Sequence, residues 1–322
     1  MKLCLNCIVK NEERTIVRML DSVIDKIDMF CICDTGSTDK TMQVIMEYFS
    51  DKRNIIGKLY SQNFVNFEKN RNESLEMAKS MKSDYILFLD ADMELVGDLK
   101  KEDLKDDFYY LTQKTSSMET GNVRIIKTSR DFHYRGLTHE CIISGEKDLK
   151  EGILNGVWIK DHEDGGSREE KLERDVTLLS LGLKNPDTER RCLFYLGNTY
   201  AAMDKFEDAI RMYKRRIHLG GWDQEMWCSH YKLGLLYHII GKYDKFTEHM
   251  LDAYEVLPER VENIYLLMLY YQENKKKKIA EIYRKLGFSI LSEKRELRHH
   301  IFLDRGMYEL EKFTCLSSSS SS

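Results

Sequence analysis

Three absences narrow the classes to which this chain can belong. Proline occurs only 2 times and glycine 18 times in 322 residues, which argues against a loop-rich or disordered chain. An excess of charge of one sign is also missing, because 50 Lys and Arg residues face 54 Asp and Glu residues and leave a net charge of −4. That balance gives no overall basic footprint, so neither nucleic acid nor an anionic membrane is predicted as a partner.

Long hydrophobic runs are absent as well. No segment approaches the roughly 18 apolar residues that a membrane-spanning helix needs. The N-terminal stretch MKLCLNCIVKNEER has a short apolar part that Asn6 interrupts. It then runs into charged residues without a small-residue cleavage site, so it does not match a signal peptide. We therefore expect a soluble, cytoplasmic protein with no membrane span.

The chain has 8 cysteines, but none lies in a typical zinc knuckle. Cys4 and Cys7 form a C-x-x-C, and Cys31 and Cys33 form a second close pair. Both pairs lie in apolar stretches, LCLNCIV and FCICD, that are typical of buried strands. Because free cysteine is among the most buried residue types, we interpret these thiols as core residues, and a metal or redox site is the less favoured alternative.

The apolar content, 42% of the residues, is sufficient for real cores, and the length of the chain suits two domains. The first part of the chain alternates strand-like and helix-like patterns, which is typical of a parallel sheet with crossover helices. The predicted strands are KLCLNCIV, MFCICD, NIIGKLY and DYILFLD. The predicted helices begin near Glu13, near Asp39, where Ser37, Thr38 or Asp39 would be the cap, and at FEKNRNESLEMAKSM.

Between Asp107 and Lys160 the pattern changes to short strand-like pieces, DFYYLTQ, NVRIIKT, HECIISG and GILNGVWIK, which indicate mixed or antiparallel additions to the sheet. From about Ser167 to about Phe313 the chain reads as helical. We therefore predict an α/β domain with a mixed, Rossmann-like sheet over residues 1–165, an all-α domain over residues 166–315 and a disordered serine tail over residues 316–322.

The helical part repeats itself. CLFYLGNTYAAMDKFEDAIRMY aligns with SHYKLGLLYHIIGKYDKFTEHM, so that Gly197 matches Gly234 and Tyr200 matches Tyr237. A weaker third unit places Tyr271 34 residues after Tyr237. This spacing resembles tetratricopeptide (TPR) repeats, in which each helix pair has an apolar face that a neighbouring pair covers.

Acidic residues follow three of the predicted strands. Asp34 ends the second strand, and Asp90 and Asp92 end the fourth, while Asn11 and Glu12 follow the first. The carboxyl ends of parallel strands meet at one edge of a sheet, so these side chains should converge on a ligand. Their oxygens suit a hard divalent cation. Turn and helix-cap residues of the same types are the alternative for each motif taken alone.

The ordered set IVKNEERTIVRMLDSV, CDTGSTDKT, NRNESLEMAKSMKSDYILFLDADM and YRGLTHECI resembles successive motifs of glycosyltransferase family 2 enzymes with the GT-A fold. The likeness is greatest to members with a TPR-like C-terminal extension, and it covers roughly residues 1–180 in motif detail. It implies a UDP-sugar donor, with Mn²⁺ or Mg²⁺ as the metal. It also implies transfer to an acceptor.

The resemblance also implies roles for individual residues. Asp34 matches the acid that holds the uracil or ribose, and Asp39 and Arg71 match residues that line the nucleotide pocket. Asp92 matches the direct metal ligand, and Asp90 matches the acid nearer the ribose or a metal-bound water. His162 is a candidate third metal ligand, for which a surface-loop histidine is the alternative. The full set of candidate donor-binding and metal-binding residues is Asn11, Glu12, Asp34, Asp39, Arg71, Asp90, Asp92, His162, Arg168 and Lys171.

Arg168 and Lys171 are included as candidates to reach the diphosphate, although ion pairs on a solvated helix face would also explain them. An inverting transfer needs a base that takes the proton of the acceptor, and Glu140 is our candidate. Asp131, Asp161 and Glu163 are alternatives. The base motif that is more usual in the family, an acidic pair followed by Arg-Trp, is missing from this sequence.

The sequence therefore predicts a metal-dependent, inverting glycosyltransferase (a hexosyltransferase) that uses a UDP-sugar and a protein, peptide or glycan acceptor. The alternative is a TPR-type scaffold whose nucleotide-binding domain is inactive, and an aspartyl-nucleophile phosphotransferase is disfavoured because its D-x-D lies on the first strand. A homodimer through the helical domain stays open. The sequence identifies neither the sugar nor the acceptor.

Overall fold

A computed structural model describes residues 1–52, 54–165, 171–293 and 300–313 of the chain. Within these ranges no helix has both the length and the apolarity that crossing a bilayer requires. The chain divides into two compact units, residues 1–116 with 120–188 and residues 117–119 with 189–322. The boundary after residue 165 stays a prediction, and the structure groups the helix at 171–182 with the first unit.

The strands and helices are numbered in chain order. The strands are β1 Leu3–Val9, β2 Met29–Asp34, β3 Ile56–Ser61, β4 Tyr85–Phe88, β5 Met93–Val96, β6 Phe108–Lys114, β7 Glu119–Lys127, β8 Phe132–Arg135, β9 Cys141–Ser144, β10 Glu151–Gly152 and β11 Trp158–Asp161. The helices are α1 Ile16–Val23, α2 Thr41–Phe49, α3 Phe67–Ser80, α4 Lys171–Gly182, α5 Pro186–Ala202, α6 Phe206–His218, α7 Asp223–Ile239, α8 Tyr243–Val256, α9 Glu262–Glu273 and α10 Lys277–Ser292.

The main sheet is mixed, with the strand order β3-β2-β1-β4-β7-β6-β11-β5 and with β10 beside β6. Strand β1 runs parallel to β2 and to β4, whereas β7 is antiparallel to β4 and β11 is antiparallel to β5. Strands β8 and β9 form a separate antiparallel pair. The predicted α/β fold with a mixed sheet, followed by a helical part, is confirmed.

The core lies on both faces of this sheet. Along β1, Leu3 and Leu5 belong to a core cluster with the buried α1 side chains, whereas Cys4 belongs to a second cluster with Leu75 and Ala78 of α3. This alternation follows from the two-residue period of a strand, and it explains why β1 is apolar at nearly every position. Helices on both faces therefore fix the strand ends where the acidic residues lie.

The cysteines of β1 and β2 are buried free thiols, as the core interpretation requires. Burial raises the pKa of Cys33 to about 11 and that of Cys31 to about 12, so both thiols are protonated and unreactive at neutral pH. Asn6, the polar residue between Cys4 and Cys7, is also buried. Its side-chain amide donates to the Cys31 carbonyl oxygen over 3.1 Å and to Ser74 Oγ over 2.8 Å, which compensates its burial.

Several predicted elements differ from the structure. Helix α1 begins at Ile16 instead of near Glu13, and strands β5 and β8 have no counterpart among the predicted elements. The piece GILNGVWIK splits into β10 and β11. The helical part also ends earlier than predicted, because residues 300–313 contain a β-bridge between Glu119 and Leu303 and two short 3₁₀ helices.

The helical repeat has the same backbone hydrogen bond in each unit. The carbonyl oxygens of three tyrosines accept from the N–H groups of three lysines, over 2.9, 2.8 and 2.9 Å in chain order. These bonds close the loops 203–205, 240–242 and 274–276 between paired helices, and their spacings are those of the sequence alignment. The pairs are Tyr200 with Lys205, Tyr237 with Lys242 and Tyr271 with Lys276.

We expect Gly197→Ala to destabilise the helical unit. A Cβ at Gly197 would lie 2.6 Å from the ring of Tyr213, which is buried and donates to Asn198 Oδ1, so the ring cannot move freely. Overpacking of this kind lowers the free energy of unfolding by about 1–3 kcal/mol, measurable by urea denaturation. Gly145→Ala is the control, because nothing lies within 4 Å of its Cβ position, and an equal loss in both variants would contradict the prediction.

Candidate active site

The loops after β1 and β2 are joined by side-chain hydrogen bonds. Asn11 has a positive φ of 58°, its N–H donates to Ser37 Oγ over 2.9 Å, and its side-chain oxygen accepts from the Thr38 N–H over 2.8 Å. The Asp39 carboxylate accepts from the N–H of Thr41, the first residue of α2, over 3.0 Å. Asn11 and Asp39 therefore shape the rim of the site, and their contact with a nucleotide stays a prediction.

Asp34 lies at the carboxyl end of β2 and is buried. The N–H groups of Gly36 and Ser37 both donate to its Oδ2 atom over 3.1 Å. Gly36 has a φ of 104°, which favours glycine and permits this tight turn. The carboxylate of Asp34 is thus held in one orientation at the sheet edge.

Asp90, which follows β4, is surrounded by arginines. Arg71 of α3 donates to Asp90 Oδ1 over 2.6 Å, and Arg124 of β7 lies 3.6 Å from Asp90 Oδ2. Arg71 also forms an ion pair with Glu140. Burial acts to raise the pKa of Asp90, but the two arginines outweigh it and hold that pKa below its ordinary value. Asp90 is therefore an ionised, compensated carboxylate.

The pKa of Asp92 is shifted in the opposite direction, although Asp92 is only two residues away. Burial, with the nearby charges of Asp90 and Asp161, raises its pKa to about 6. The Gly165 N–H donates to Asp92 Oδ2 over 3.2 Å, and the His162 N–H donates to the Asp92 carbonyl oxygen over 3.1 Å. A cation at Asp92 would offset both the burial and the repulsion that raise its pKa.

Glu12, in the loop after β1, lies close to the Asp92 carboxylate. An ideal Cβ at Gly165 would lie 2.9 Å from Asp92 Oδ2 and 3.2 Å from Glu12 Oε1, so both carboxylates border the space that the missing side chain leaves. Glu12 Oε2 accepts from the Thr15 hydroxyl over 2.5 Å, which orients the carboxylate. Glu12 therefore lies close to Asp92, and its role in donor binding stays a prediction.

His162, the predicted third metal ligand, follows β11. The antiparallel pairing of β5 with β11 aligns Asp161 with Met93, and the imidazole Nε2 of His162 lies 2.9 Å from Glu94 Oε2. Within the described part of the chain, Asp90, Asp92 and His162 do not bring their ligand atoms within 4.8 Å of one another. Their joint role as metal ligands stays a prediction, in which the imidazole would have to leave Glu94.

The other candidate residues lie in separate settings. Lys171 is exposed at the first residue of α4, and Arg168 lies outside the described residues. Among the alternatives for the base, Asp161 Oδ2 accepts from Gln113 over 2.7 Å near Asp92, whereas Asp131 and Glu163 are exposed. Asp161 is thus the alternative with the closest link to the Asp92 carboxylate.

Two arginines at the site were missed by sequence reasoning. Arg124 is a charged residue in the otherwise apolar strand NVRIIK, and this charge within an apolar run could have indicated a functional residue. Arg18 on α1 makes two hydrogen bonds to Asp164, over 3.0 and 2.6 Å, next to Gly165. Arg18 and Asp164 are 146 residues apart in the sequence, so no local pattern could indicate that they pair.

The residues present fit a hard divalent cation. Asp92 and Glu12 would hold it, because they contribute carboxylate oxygens around the space at Gly165 and because Asp92 is destabilised as an anion without a cation. Mg²⁺ and Mn²⁺ are commonly bound through one or two carboxylates, with substrate phosphates as further ligands. A set of three protein ligands is therefore unnecessary.

This geometry agrees with a comparison against family models, in which residues 7–139 match Glycosyl transferase family 2. Residues 7–139 are therefore similar to the family 2 glycosyltransferases. The matched range includes Asp34, Arg71, Asp90 and Asp92. It stops one residue before Glu140, so the candidate base and the loop that follows β11 lie beyond the matched range.

Two curated relatives resemble the chain over 227 residues at 26% identity. They are the SPbeta prophage-derived glycosyltransferase SunS of Bacillus subtilis (strain 168) and the glycosyltransferase SunS of Bacillus phage SPbeta. The match covers 65% of this chain and 52% of each relative, so the chain spans about half the length of the curated relatives it matches.

Solved structures resemble part of the chain only weakly. A crystal structure of MamA matches with a TM-score of 0.34 and 20% identity over 38% of this chain and 70% of that one. The apo form of RapI matches with a TM-score of 0.34 and 16% identity over 38% of this chain and 48% of that one. These TM-scores are too low to describe the helical repeat. The repeat is described instead by the backbone hydrogen bonds from the three lysines to the three tyrosines.

Proposed function

We propose that the chain is a metal-dependent, inverting glycosyltransferase that moves a sugar from a UDP-sugar to a protein, peptide or glycan acceptor. The observation that carries this proposal is the contrast between two neighbouring carboxylates. Asp90 is neutralised by Arg71 and Arg124, whereas burial and the charges of Asp90 and Asp161 raise the pKa of Asp92, which lies beside Glu12, to about 6. This contrast suits a site in which Asp90 orients polar groups of the donor and Asp92 binds a cation.

In this proposal each side chain has a separate task. Asp34, fixed by two backbone N–H groups, accepts hydrogen bonds from the uracil or ribose, and Asp90 with Arg71 orients the ribose side of the donor. Asp92 and Glu12 hold Mn²⁺ or Mg²⁺. When bound, the metal supplies Lewis-acid stabilisation for the diphosphate leaving group. Lys171 and Arg168 are proposed for the distal phosphate.

The proposal is tested with the intact chain and a panel of nucleotide sugars. We expect one UDP-sugar to be hydrolysed slowly without acceptor in the presence of Mn²⁺, and we expect EDTA to stop this turnover. Chromatographic detection of free UDP measures the reaction. Turnover that continues in EDTA would contradict the metal dependence, and turnover of only non-UDP donors would contradict the donor.

The affinity for Mn²⁺ should fall when the pH drops below about 6. Because the pKa of Asp92 is raised to about 6, a proton competes with the metal for the carboxylate as the pH falls through that value. Above it, Asp92 is ionised and the metal affinity levels off. Titration of Mn²⁺ by calorimetry between pH 5 and pH 8 measures the effect, and an affinity that is flat across pH 6 would rule out Asp92 as the site of competition.

Glu140→Gln tests the proposed base. The amide can still accept from Arg71 but cannot take a proton, so transfer to the acceptor should fall by about 10²–10⁴-fold while UDP binding changes little. Asp161→Asn is the parallel variant for the alternative base. Loss of transfer in that variant, with normal transfer in Glu140→Gln, would reassign the role to Asp161.

A thermal-shift measurement distinguishes the enzyme from a scaffold with an inactive domain. UDP with Mn²⁺ at 100 times the dissociation constant should stabilise the domain by about 2.7 kcal/mol. Stabilisation by neither ligand at millimolar concentration would favour the scaffold, in which the helical repeats alone would bind a peptide.

A further inference from the structure

Three side chains of the second helix pair bring their polar atoms together. Nδ1 of His230, on α7, lies 3.2 Å from Nδ1 of His249, on α8. Both nitrogens also approach Oδ2 of Asp252, at 3.4 Å from His230 and 3.3 Å from His249. The three atoms form a nearly equilateral triangle.

The size of this triangle matches the edge of a metal coordination tetrahedron. Zn²⁺ binds histidine nitrogen at about 2.0–2.1 Å and carboxylate oxygen at about 2.0–2.2 Å, so two ligands on one tetrahedral ion lie about 3.3–3.5 Å apart. The observed separations are 3.2, 3.3 and 3.4 Å. An ion would therefore reach all three atoms with little change in the helices.

The cluster departs from the repeat in which it lies. The backbone hydrogen bonds of the three tyrosines align each helix pair with the next, so the equivalent positions of the other pairs can be read from the sequence. Neither of the other pairs has a histidine or an acid at these positions. The first pair has Leu193, Met212 and Arg215 there, and the third pair has Ile264, Tyr283 and Leu286.

Two imidazoles at mostly apolar positions are costly unless something satisfies them. His230 and His249 expose only 11% and 13% of their side chains. Burial lowers the pKa of both, so both rings are neutral at physiological pH and each retains one nitrogen lone pair. If one Nδ1–H donates to the other Nδ1, neither Nδ1 donates to the Asp252 carboxylate, whereas a cation can be bound by all three groups.

The backbone supports the same arrangement. Gly234, one turn after His230, lets α8 approach closely, because its Cβ position is 2.9 Å from Met250 Cε and 3.6 Å from His249 Cβ. His249 and Asp252 are three residues apart and share one face of α8. Asp252 exposes 44% of its side chain, which leaves a path for an ion and a position for a water ligand.

We propose that His230, His249 and Asp252 bind one Zn²⁺ ion and thereby join α7 to α8. Two imidazoles and one carboxylate with a water suit this ion, and imidazole ligands disfavour Mg²⁺. The site is independent of the proposed donor site, since it uses none of the same residues.

The test is a Zn²⁺ titration of the chelator-treated full chain in an Asp92→Asn background, which removes the donor-site carboxylate. We expect one equivalent of Zn²⁺ to bind and to raise the melting temperature, and we expect Mg²⁺ to do neither. Bound Co²⁺ should give the visible absorption of a tetrahedral site. The double variant His230→Leu/His249→Met carries the residues of the first helix pair, so it should fold and lose the response to Zn²⁺.

Two further variants keep the result decisive. Asp252→Asn changes a half-exposed residue and should weaken Zn²⁺ binding by about 100-fold or more, since even the loss of outer-shell partners costs 10–100-fold. His218→Gln removes an exposed histidine on α6 and should bind Zn²⁺ normally. Equal binding by the parent and the double variant, or by the parent and Asp252→Asn, would overturn the proposal, as would a parent that binds no Zn²⁺.

Discussion

Asp92→Asn should lower metal-dependent turnover by about 10³-fold, because a Lewis-acid metal contributes several kcal/mol to stabilising the transition-state charge. The same change should raise the stability of the metal-free protein. In the parent, the raised pKa of Asp92 means that the contribution of this carboxylate to stability declines as the pH rises from about 4 to about 6, while it ionises. Asparagine has no such ionisation, so this decline should be absent from the variant in that window.

This opposite response separates loss of the site from loss of the fold. Turnover is measured by UDP release at saturating Mn²⁺, and stability by thermal unfolding in EDTA. Asp98→Asn is the matched control, since Asp98 is an exposed acid six positions away that pairs with Lys100 at the surface. Unchanged metal-dependent turnover in Asp92→Asn would remove this carboxylate from the proposed site.

Arg71→Met should lower the free energy of unfolding by about 3–5 kcal/mol, the usual cost of removing one partner from a buried ion pair. Arg71 exposes 13% of its side chain and is in contact with both Asp90 and Glu140. In this variant Asp90 keeps only its contact with Arg124, and Glu140 loses its ion pair with Arg71. Arg71→Lys retains the charge but not the fork that reaches two carboxylates, so an intermediate loss is expected.

The loss in Arg71→Met should depend on Glu140. In the Arg71→Met background, Glu140→Gln should recover part of the stability, because it removes one of the two buried charges that the arginine compensated. Urea denaturation of the four combinations gives this coupling energy. Arg14→Met, at an exposed position on the β1–α1 loop, should stay within about 0.5 kcal/mol of the parent. Additive losses in the double variant would contradict the shared cluster.

The first half of the sheet was predictable because its signals are local. Strands β1 and β2 are continuous apolar runs, and the predicted apolar face of α1 is the face that is buried. Strand β5 was missed because MELV is short and acquires its strand character from pairing with β11, far along the chain. Strand β8 was also missed, because FHYR is only four residues long and pairs with β9 outside the main sheet.

The placement of the candidate residues at the strand ends was predictable to the same extent. Asp34, Asp90 and Asp92 follow from the rule that ligands bind at the carboxyl ends of parallel strands. The opposite pKa shifts of Asp90 and Asp92 did not follow, because the lowered pKa of Asp90 depends in part on Arg124, which the antiparallel β7 brings to it. The contact of His162 with Glu94 likewise depends on the register of β5 and β11, which no local pattern sets.

The position of β5 also governs when the proposed donor site can assemble during synthesis. Residues 93–96 join the sheet through residues 158–161, and Gly165 completes the surroundings of Asp92. A nascent chain that has emerged from the ribosome only as far as residue 139 contains every motif of the family match, yet it lacks these partners. The shortest chain that can bind a nucleotide sugar should therefore extend past residue 165, and stalled chains of graded length would show this as a threshold.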